Sequence, residues 1–220
     1  RTVPFSARHL VPDGIGIENS KIVWRDRDIL STADVPLPGA AGLEDSVAAA
    51  GAGLEYGVEA GAVTRAIKSF RPLAHRLEVI AESGGVTFID DSKATNPHAT
   101  LAAVQGLDDV VLIAGGRSKG IDLGSLRQTV PPVRAVVAIG EARDELVGIF
   151  ENAVPVAQAA SMEEAVRLAI QSATPGGSVL LSPGCASLDM YESYAARGEH
   201  FASVVRTMIE TISRKGSDGD

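Results

Sequence analysis

Apolar runs rich in valine and isoleucine alternate with helical segments along this 220-residue chain after residue 72. Near-continuous apolar runs of this kind are typical of parallel strands that are buried on both faces. The pattern predicts strands over residues 77–81, 86–90, 110–114, 135–139, 154–156 and 178–182. Helices are predicted over residues 97–105, 123–128, 142–150, 162–173 and 191–213. Strands that alternate with helices indicate an α/β fold, and we expect a Rossmann-like, mostly parallel sheet.

The residues before this region follow a different pattern. Partial alternation of apolar and polar residues around Asn19-Ser20 predicts a β-hairpin over residues 15–24. Small and apolar residues predict a helix over 43–56, and apolar residues at three- and four-residue spacing predict another over 59–70. Because Arg71-Pro72 interrupts the pattern, we expect a domain boundary at this point. The predicted ranges are residues 1–71 and 72–214, followed by a disordered tail over residues 215–220.

Composition and charge narrow the class of protein. A hydrophobic fraction of 45% and a charged fraction of 22% are typical of an ordinary globular protein. No apolar run approaches the roughly 18 residues of a membrane helix, so we expect no membrane insertion. A net charge of −8 and a pI near 5.0 argue against nucleic acid as a partner. The single cysteine, Cys185, excludes an internal disulfide.

Three polar motifs each follow a predicted strand, at Asp90–Asn96, Gly115–Gly120 and Ser182–Asp189. In an open α/β sheet, ligands bind at the carboxyl ends of the strands, so we expect these motifs to meet at one edge. An anionic ligand suits the donors there, and Asp91 is available for a hydroxyl group or a metal-bound water. The potential donors are Lys93, Lys119, Ser92, Thr95 and Ser187.

Some of these features are equally consistent with a purely structural role. Gly115-Gly116 is also typical of a tight turn. Cys185 is expected to be a small buried residue and not a nucleophile, because no histidine lies near it in the sequence. His75-Arg76 suits phosphate or carboxylate recognition, or an interdomain ion pair. The sequence has no G-x-x-x-x-G-K-[ST] phosphate loop and no metal-ligand spacing around its histidines, so no metal site is predicted.

Four parts of the sequence resemble the Mur ligase family. They are Phe70–Arg76, Asp91–Asn96, Gly115-Gly116 with Lys119, and Ser182–Asp189 with Arg197-Gly198 and Phe201. The resemblance covers essentially the whole chain and is strongest from Phe70 to Met208. It implies that residues 1–71 end a central α/β ATP-binding domain and that residues 72–214 form the C-terminal domain, which binds the incoming amino acid. The phosphate loop and the magnesium ligands would then lie upstream.

The resemblance is to the family members that add D-glutamate to UDP-N-acetylmuramoyl-L-alanine in peptidoglycan biosynthesis. It implies an acid–D-amino-acid ligase in which ATP and Mg²⁺ convert the muramoyl-alanine carboxylate into an acyl phosphate, with ADP as a product. The D-glutamate amine then attacks this acyl phosphate. The resemblance also implies a monomer in the bacterial cytoplasm, with roles in cell wall biogenesis, cell shape, cell division and the cell cycle. This chain alone is expected to be inactive, and a non-catalytic dicarboxylate- or nucleotide-binding module of the same fold is the alternative.

Roles for individual residues also follow from the resemblance. Thr95 and Lys119 would hold the α-carboxylate of D-glutamate. Ser187, Leu188 and the backbone around Tyr194 would hold its side-chain carboxylate. The ATP-binding residues would be His75, Arg76, Asp91 and Lys93, with Asp91 and Lys93 as the catalytic residues.

At one place the chain departs from the family pattern. The family usually has a His-Asn pair where this chain has Gly39-Ala40-Ala41-Gly42-Leu43. The asparagine helps to bind adenine in relatives. We therefore assign no adenine-binding role to Ala41 or Gly42.

Overall fold

The computed structural model describes residues 2–37, 39–71 and 73–217, without the side chains of residues 39–41, 213 and 215–217. The chain divides into two compact units after Leu73. The boundary predicted at Pro72 falls on a residue outside the described ones. Within the described ranges, no helix combines the length and the apolar character needed to cross a membrane.

The first unit contains a three-stranded antiparallel sheet. Its strands, β1 (Ile15–Glu18), β2 (Lys21–Trp24) and β3 (Arg27–Ser31), pair in chain order. Asn19 and Ser20 both have positive φ, as a two-residue turn between antiparallel strands requires. The predicted hairpin is therefore confirmed, and β3 adds a third strand to it.

Two helices pack against this sheet, after a 3-10 helix at Thr32–Asp34. Helix α1 (Gly39–Glu55) begins four residues earlier than predicted, and α2 (Ala60–Ser69) lies within its predicted range. Residues 39–42, where the family pattern has its His-Asn pair, lie in the first turn of α1. The side chains of residues 39–41 are outside the described part of the chain.

The second unit is a six-stranded sheet with helices on both faces. Its strands are β4 (Glu78–Ser83), β5 (Val86–Asp90), β6 (Val110–Gly115), β7 (Val133–Ile139), β8 (Val156–Ala159) and β9 (Ser178–Leu181), in the order β4-β5-β9-β6-β7-β8. All neighbouring strands from β5 to β8 are parallel, and only β4 runs antiparallel to its neighbour. The predicted mostly parallel α/β sheet is confirmed.

The helices of the second unit form two layers. Helices α3 (Pro97–Ala103) and α4 (Arg143–Phe150) cover one face, and α5 (Met162–Ser172) and α6 (Tyr194–Ser217) cover the other. The Asn96 side chain accepts a hydrogen bond from the Ala99 N–H at 3.0 Å and Pro97 occupies the first turn, so Asn96 caps the start of α3. Helix α6 reaches Ser217, within the range predicted as a tail, and residues 218–220 lie outside the described ones.

Prolines account for two of the differences between the predicted and the observed elements. The helix predicted over residues 123–128 is a 3-10 helix at Gly124–Thr129. Pro131-Pro132 follows closely, and prolines cannot continue an α-helix. Strand β8 begins at Val156 and not at residue 154, because Pro155 has no N–H to donate to a sheet and contributes only its carbonyl to Val136.

Side chains of the central strands alternate between the two helical layers. Val111 and Ile113 of β6 pack with the core under α5 and α6, whereas Leu112 and Ala114 pack with the core under α3 and α4. Both faces of the strand are buried, which is why its sequence is continuously apolar. Polar residues therefore begin only where these strands end.

Candidate functional site

The sheet order places the three polar motifs side by side. Strand β9 lies between β5 and β6, so the loop after β9 (residues 182–189) lies between the loops after β5 (residues 91–96) and β6 (residues 116–120). We call residues 91–96 the first loop, residues 116–120 the second loop and residues 182–189 the third loop. The Gly184 N–H donates to the carbonyl of Ala94 at 3.0 Å, which joins the third loop to the first. Arg117 and Ala186 exchange two backbone hydrogen bonds of 2.9 and 3.0 Å, which join the second and third loops.

The glycine pair at the end of β6 is required by this close approach. Gly116 has φ of +126°, and a Cβ atom there would lie 2.3 Å from the carbonyl oxygen of Ala186. Gly115 has φ of +127°, and its Cβ would lie 1.9 Å from the carbonyl oxygen of Ile139. Any side chain at either position would push these backbones apart. The pairing of Arg117 with Ala186 therefore keeps the second loop, which carries Lys119, next to the third loop, which carries Ser187.

A buried arginine of α6 hydrogen-bonds to residues at or just after the ends of β5, β6 and β9. Arg197 is 3% exposed. Its guanidinium donates to the Ser92 hydroxyl at 2.9 Å, the Ser92 carbonyl at 2.8 Å and the Cys185 carbonyl at 3.2 Å, and reaches the Gly115 carbonyl at 3.5 Å. Burial lowers the pKa of Arg197 to about 10, and the nearby Asp189 carboxylate opposes this shift, so the guanidinium stays charged at neutral pH.

Ser92 corrects one of the sequence-based expectations. We expected its hydroxyl among the donors to an anionic ligand, but Ser92 is fully buried. Its hydroxyl donates to the Tyr194 carbonyl at 2.8 Å and accepts from Arg197. Because a serine hydroxyl has a single proton to donate, Ser92 holds the start of α6 against the first loop and is not a ligand donor.

The half-buried His75 and the buried Asp90 form a hydrogen-bonded pair next to the first loop. The His75 Nδ1 lies 2.7 Å from Asp90 Oδ2, and the other oxygen of Asp90 accepts from the Ser92 N–H at 2.9 Å. Burial raises the pKa of Asp90, and the hydrogen bond from His75 opposes that shift. Gly198 of α6 leaves the space for this pair, since a Cβ atom there would lie 2.3 Å from His75 Nδ1.

The same pair belongs to a group of potential metal-ligand atoms. Within the described residues, one group of potential metal-ligand atoms comes together, from His75, Glu78 and Asp90. Those atoms already hydrogen-bond within the group, because His75 donates its backbone N–H to Glu78 at 3.0 Å and its ring contacts Asp90. We assign these three residues a structural role.

Asp91 lies under the rim and not on it. Asp91 is 4% exposed; its Oδ2 accepts from the Ser182 hydroxyl at 2.7 Å, and its Oδ1 accepts from the Leu77 N–H at 3.3 Å. Burial raises the pKa of Asp91 from its ordinary 3.8 to about 6, and the hydrogen bond from Ser182 opposes that shift. The ATP-binding role expected for Asp91 stays a prediction, and the contacts seen here hold the segment that carries Arg76.

The raised pKa of Asp91 predicts a pH dependence of stability. A carboxyl group whose pKa is higher in the folded state stabilises the fold below the unfolded pKa, near 4, and loses this effect as the pH rises through about 6. As the pH rises from 4 to 7, we therefore expect the unfolding free energy of Asp91→Asn to increase by about 2–3 kcal/mol relative to that of the original chain. Urea unfolding at several pH values measures this difference. Asp108→Asn, which changes an exposed carboxylate of the same unit, is the control, and an equal pH dependence in both variants would contradict the prediction.

Lys93 rests on Tyr194, the first residue of α6. Its Nζ lies 4.5 Å from the centre of the Tyr194 ring and 3.4 Å from the hydroxyl. A lysine ammonium over an aromatic face is attracted by the ring quadrupole. This contact brings together one residue expected to bind ATP and one expected to bind D-glutamate.

The remaining predicted ligand donors have their polar atoms available. Lys119 is exposed, and the described part of the chain provides no hydrogen bond or ion pair to its ammonium or to the Thr95 hydroxyl. Ser187 is only 4% exposed, yet no buried side-chain oxygen of a described residue lacks a partner, so its unpaired hydroxyl is open to solvent. Leu188 is exposed beside it. Arg76 is exposed and close enough for its charge to lower the pKa of Asp91.

The sequence reasoning missed the residues that hold the loops together. Arg197 was noticed only as part of the family resemblance, and Ser182 and Thr100 were assigned no role. Thr100 donates to the Ser182 carbonyl at 3.2 Å, so these two hydroxyls and Asp91 form one buried network. An arginine at the start of a helix is ordinarily solvated, and no local pattern marks it as buried. Cys185 is buried as expected, and burial raises its pKa to about 12.

Comparison with known proteins supports the family resemblance. Residues 75–185 match the family described as "Mur ligase, glutamate ligase domain". The chain is 38% identical over 203 residues to the UDP-N-acetylmuramoylalanine–D-glutamate ligase of Solibacter usitatus, covering 91% of this chain and 46% of that protein. It is 39% identical over 210 residues to the protein of the same name from Shouchella clausii, covering 94% and 47%. The chain thus spans about half the length of these relatives.

The fold also matches a solved structure. The UDP-N-acetylmuramate-alanine ligase of Thermotoga maritima superposes with a TM-score of 0.62, covering 86% of this chain and 43% of that one. The sequences are 12% identical, so the match speaks for the fold alone.

Proposed function

This chain belongs to the Mur ligase family, and we propose that it carries the amino-acid site of an ATP-dependent, ADP-forming ligase that joins D-glutamate to UDP-N-acetylmuramoyl-L-alanine. The observation that supports this function best is the rim where three loops meet. It presents the ammonium groups of two lysines and the hydroxyls of two further residues, Lys93, Lys119, Thr95 and Ser187. Among the described residues, the side chain of Lys93 contacts Tyr194, and the polar side-chain atoms of the other three have no hydrogen-bond or ion-pair partner. The two relatives described above are UDP-N-acetylmuramoylalanine–D-glutamate ligases, which favours D-glutamate as the amino acid. We place the reaction in the bacterial cytoplasm, as part of peptidoglycan synthesis.

The rim suits a molecule with two carboxylates. We propose that Lys119 and Thr95 bind the α-carboxylate, and that Ser187, with the backbone of Leu188 and of the residues around Tyr194, binds the side-chain carboxylate. Two anionic groups at a fixed separation need donors on separate loops, and the hydrogen bonds between Arg117 and Ala186 keep the second and third loops at a fixed separation. Preorganised donors lose little entropy when the ligand binds.

The residues on the other side of the first loop would face the nucleotide. Bound ATP with Mg²⁺ would supply the phosphoryl group that activates the muramoyl-alanine carboxylate. We propose that Arg76 and Lys93 neutralise charge there, since fixed cations stabilise a transition state in which negative charge spreads. His75 is half-buried, Asp91 is buried, and both are held by hydrogen bonds within the protein, so we propose that they act by positioning the backbone around Arg76 and Lys93.

Titration of the chain with D-glutamate tests this proposal. We expect Lys119→Ala to weaken binding about ten- to hundredfold, because a hydrogen bond to a charged group contributes about 1.5–3 kcal/mol. Ser187→Ala, which removes a hydroxyl from the other carboxylate, should weaken it less. Lys21→Ala, which removes an exposed lysine of the first unit, is the control. Absence of binding to the original chain, or equal affinity for L-glutamate, would contradict the proposal.

The alternative is a module of the same fold that binds a dicarboxylate or a nucleotide without chemistry. It predicts the same effects of Lys119→Ala on glutamate binding. The coding sequence upstream of this chain separates the two functions. A Gly-x-x-Gly-Lys-[ST] phosphate loop there supports the ligase, and its absence supports the binding module.

A further inference from the structure

The end of the third loop continues into a segment, residues 187–194, that carries the proposed contacts to the side-chain carboxylate of D-glutamate. We call it the glutamate segment. The carbonyl of Ser187 accepts hydrogen bonds from the N–H groups of Met190 at 3.1 Å and Tyr191 at 2.9 Å. These two hydrogen bonds form a turn that begins at Ser187, whose hydroxyl is one of the proposed ligand contacts. The geometry of this turn therefore depends on what holds Tyr191.

A hydrogen-bonded chain of three side chains holds Tyr191. The Tyr191 hydroxyl lies 2.9 Å from Nδ1 of His200, in the second turn of α6, and the two rings are 5.7 Å apart. The other ring nitrogen, Nε2, lies 3.0 Å from a carboxylate oxygen of Glu163, in the first turn of α5. The chain thus links the glutamate segment to both helices on one face of the sheet.

The Glu163 carboxylate determines which atoms donate in these hydrogen bonds. A carboxylate only accepts, so the His200 Nε2 must carry a proton toward Glu163. In a neutral imidazole the Nδ1 is then an acceptor, and Tyr191 donates to it. Burial raises the pKa of Tyr191 to about 12, and the Glu163 carboxylate adds to this effect, so the phenol keeps its proton near neutral pH.

Other hydrogen bonds hold residues of the glutamate segment on either side of Tyr191, whereas the Tyr191 side chain is held by His200 and Glu163. Asp189 accepts from the Glu141 N–H at 2.9 Å, and the Tyr194 carbonyl accepts from Ser92 at 2.8 Å. Between these points, the ring of Tyr191 packs on the core under α5 and α6, and its hydroxyl hydrogen-bonds with His200. Tyr191, His200 and Glu163 do not belong to the proposed glutamate contacts.

We infer that Tyr191, His200 and Glu163 are positioning residues that fix the Ser187–Tyr191 turn, and with it the hydroxyl offered to the side-chain carboxylate of D-glutamate. This inference rests on the proposed function for its ligand. It requires that loss of the Tyr191 hydroxyl loosens the turn and weakens glutamate binding, although this hydroxyl does not touch the ligand.

Two measurements on one pair of variants test the inference. Tyr191→Phe keeps the ring and removes the hydroxyl, and Tyr56→Phe makes the same change at a tyrosine of the first unit that is 92% exposed. We expect Tyr191→Phe to speed hydrogen exchange of the backbone amides of residues 190 and 191 about three- to tenfold. We expect it to weaken D-glutamate binding by a similar factor. Tyr56→Phe should leave both unchanged.

A conservative replacement of the histidine adds a readout that simple loss of packing would not produce. Glutamine has an acceptor and a donor, so His200→Gln should retain more of the glutamate affinity than His200→Ala. The ¹⁵N spectrum of the original chain should show His200 with its proton on Nε2 when neutral. A proton on Nδ1 instead, or equal affinities of the two His200 variants, would overturn the inference.

The outcomes separate this inference from the proposed function. If the original chain does not bind D-glutamate, the proposed function fails and the positioning role for that ligand fails with it. If it binds and Tyr191→Phe leaves either the exchange rates or the affinity unchanged, the positioning role alone is overturned. Faster exchange together with weaker binding, in a variant with an unchanged circular dichroism spectrum, supports it.

Discussion

Replacing Arg197 with methionine is expected to destabilise the second unit by about 2–4 kcal/mol and to abolish D-glutamate binding. The change leaves the carbonyls of Ser92 and Cys185 buried without their donor, and each such loss costs about 1–3 kcal/mol. It also removes the only side chain in the described residues that hydrogen-bonds to all three strand ends at the rim. Methionine fills a similar volume, so the effect reports the lost hydrogen bonds more than a cavity.

Urea unfolding followed by circular dichroism measures the loss of stability, and amide exchange in β6 assigns it to the second unit. Arg206→Met is the matched control, because Arg206 is an exposed arginine of the same helix. It should change the unfolding free energy by less than about 0.5 kcal/mol. A loss below about 1 kcal/mol for Arg197→Met would mean that burial of the charged guanidinium costs nearly as much as its hydrogen bonds contribute.

Gly198→Ala is expected to lower the unfolding free energy by about 1–3 kcal/mol, although alanine favours helices more than glycine does. The added Cβ would lie 2.3 Å from His75 Nδ1 and 2.6 Å from Asp90 Oδ2, so the buried pair must move. The Lys93 N–H donates to the His75 carbonyl at 3.0 Å, so this movement reaches the first loop. We therefore expect weaker ligand binding as well.

A second glycine-to-alanine change isolates the steric effect. Gly148 is also in a helix, α4, and is exposed, with no atom within 4 Å of an added Cβ. Gly148→Ala should raise the unfolding free energy by up to about 1 kcal/mol through helix propensity alone. Thermal and urea unfolding of the two variants give opposite signs if the close packing of α6 on the His75–Asp90 pair is correct. A stabilising Gly198→Ala would show that this pair moves without cost.

Some of the site could be predicted because it depends on local pattern and topology. Continuous apolar runs identify the buried strands, and polar residues directly after β5, β6 and β9 identify the rim. The right-handed crossovers of parallel strands then bring these ends to one edge. Lys119 and Ser187 were placed in this way, and the structure brings their loops together through the Arg117–Ala186 pairing.

The division of labour among neighbouring polar residues could not be predicted. Asp91, Ser92 and Lys93 are consecutive, yet two are buried in hydrogen-bonded networks and only the lysine reaches toward the rim. Their partners, Ser182 and Arg197, lie about a hundred residues away in the sequence. No periodicity relates positions that far apart.

The sequence by itself determined the α/β class, the hairpin, most helix and strand ranges and the three loops that form the rim, because each of these follows from patterns within a few neighbouring residues. Only the tertiary structure decided which polar groups are left for a ligand. That choice depends on which hydroxyls and carboxylates find partners on distant segments when water is excluded, as Ser92 does with Arg197 and Tyr191 with His200.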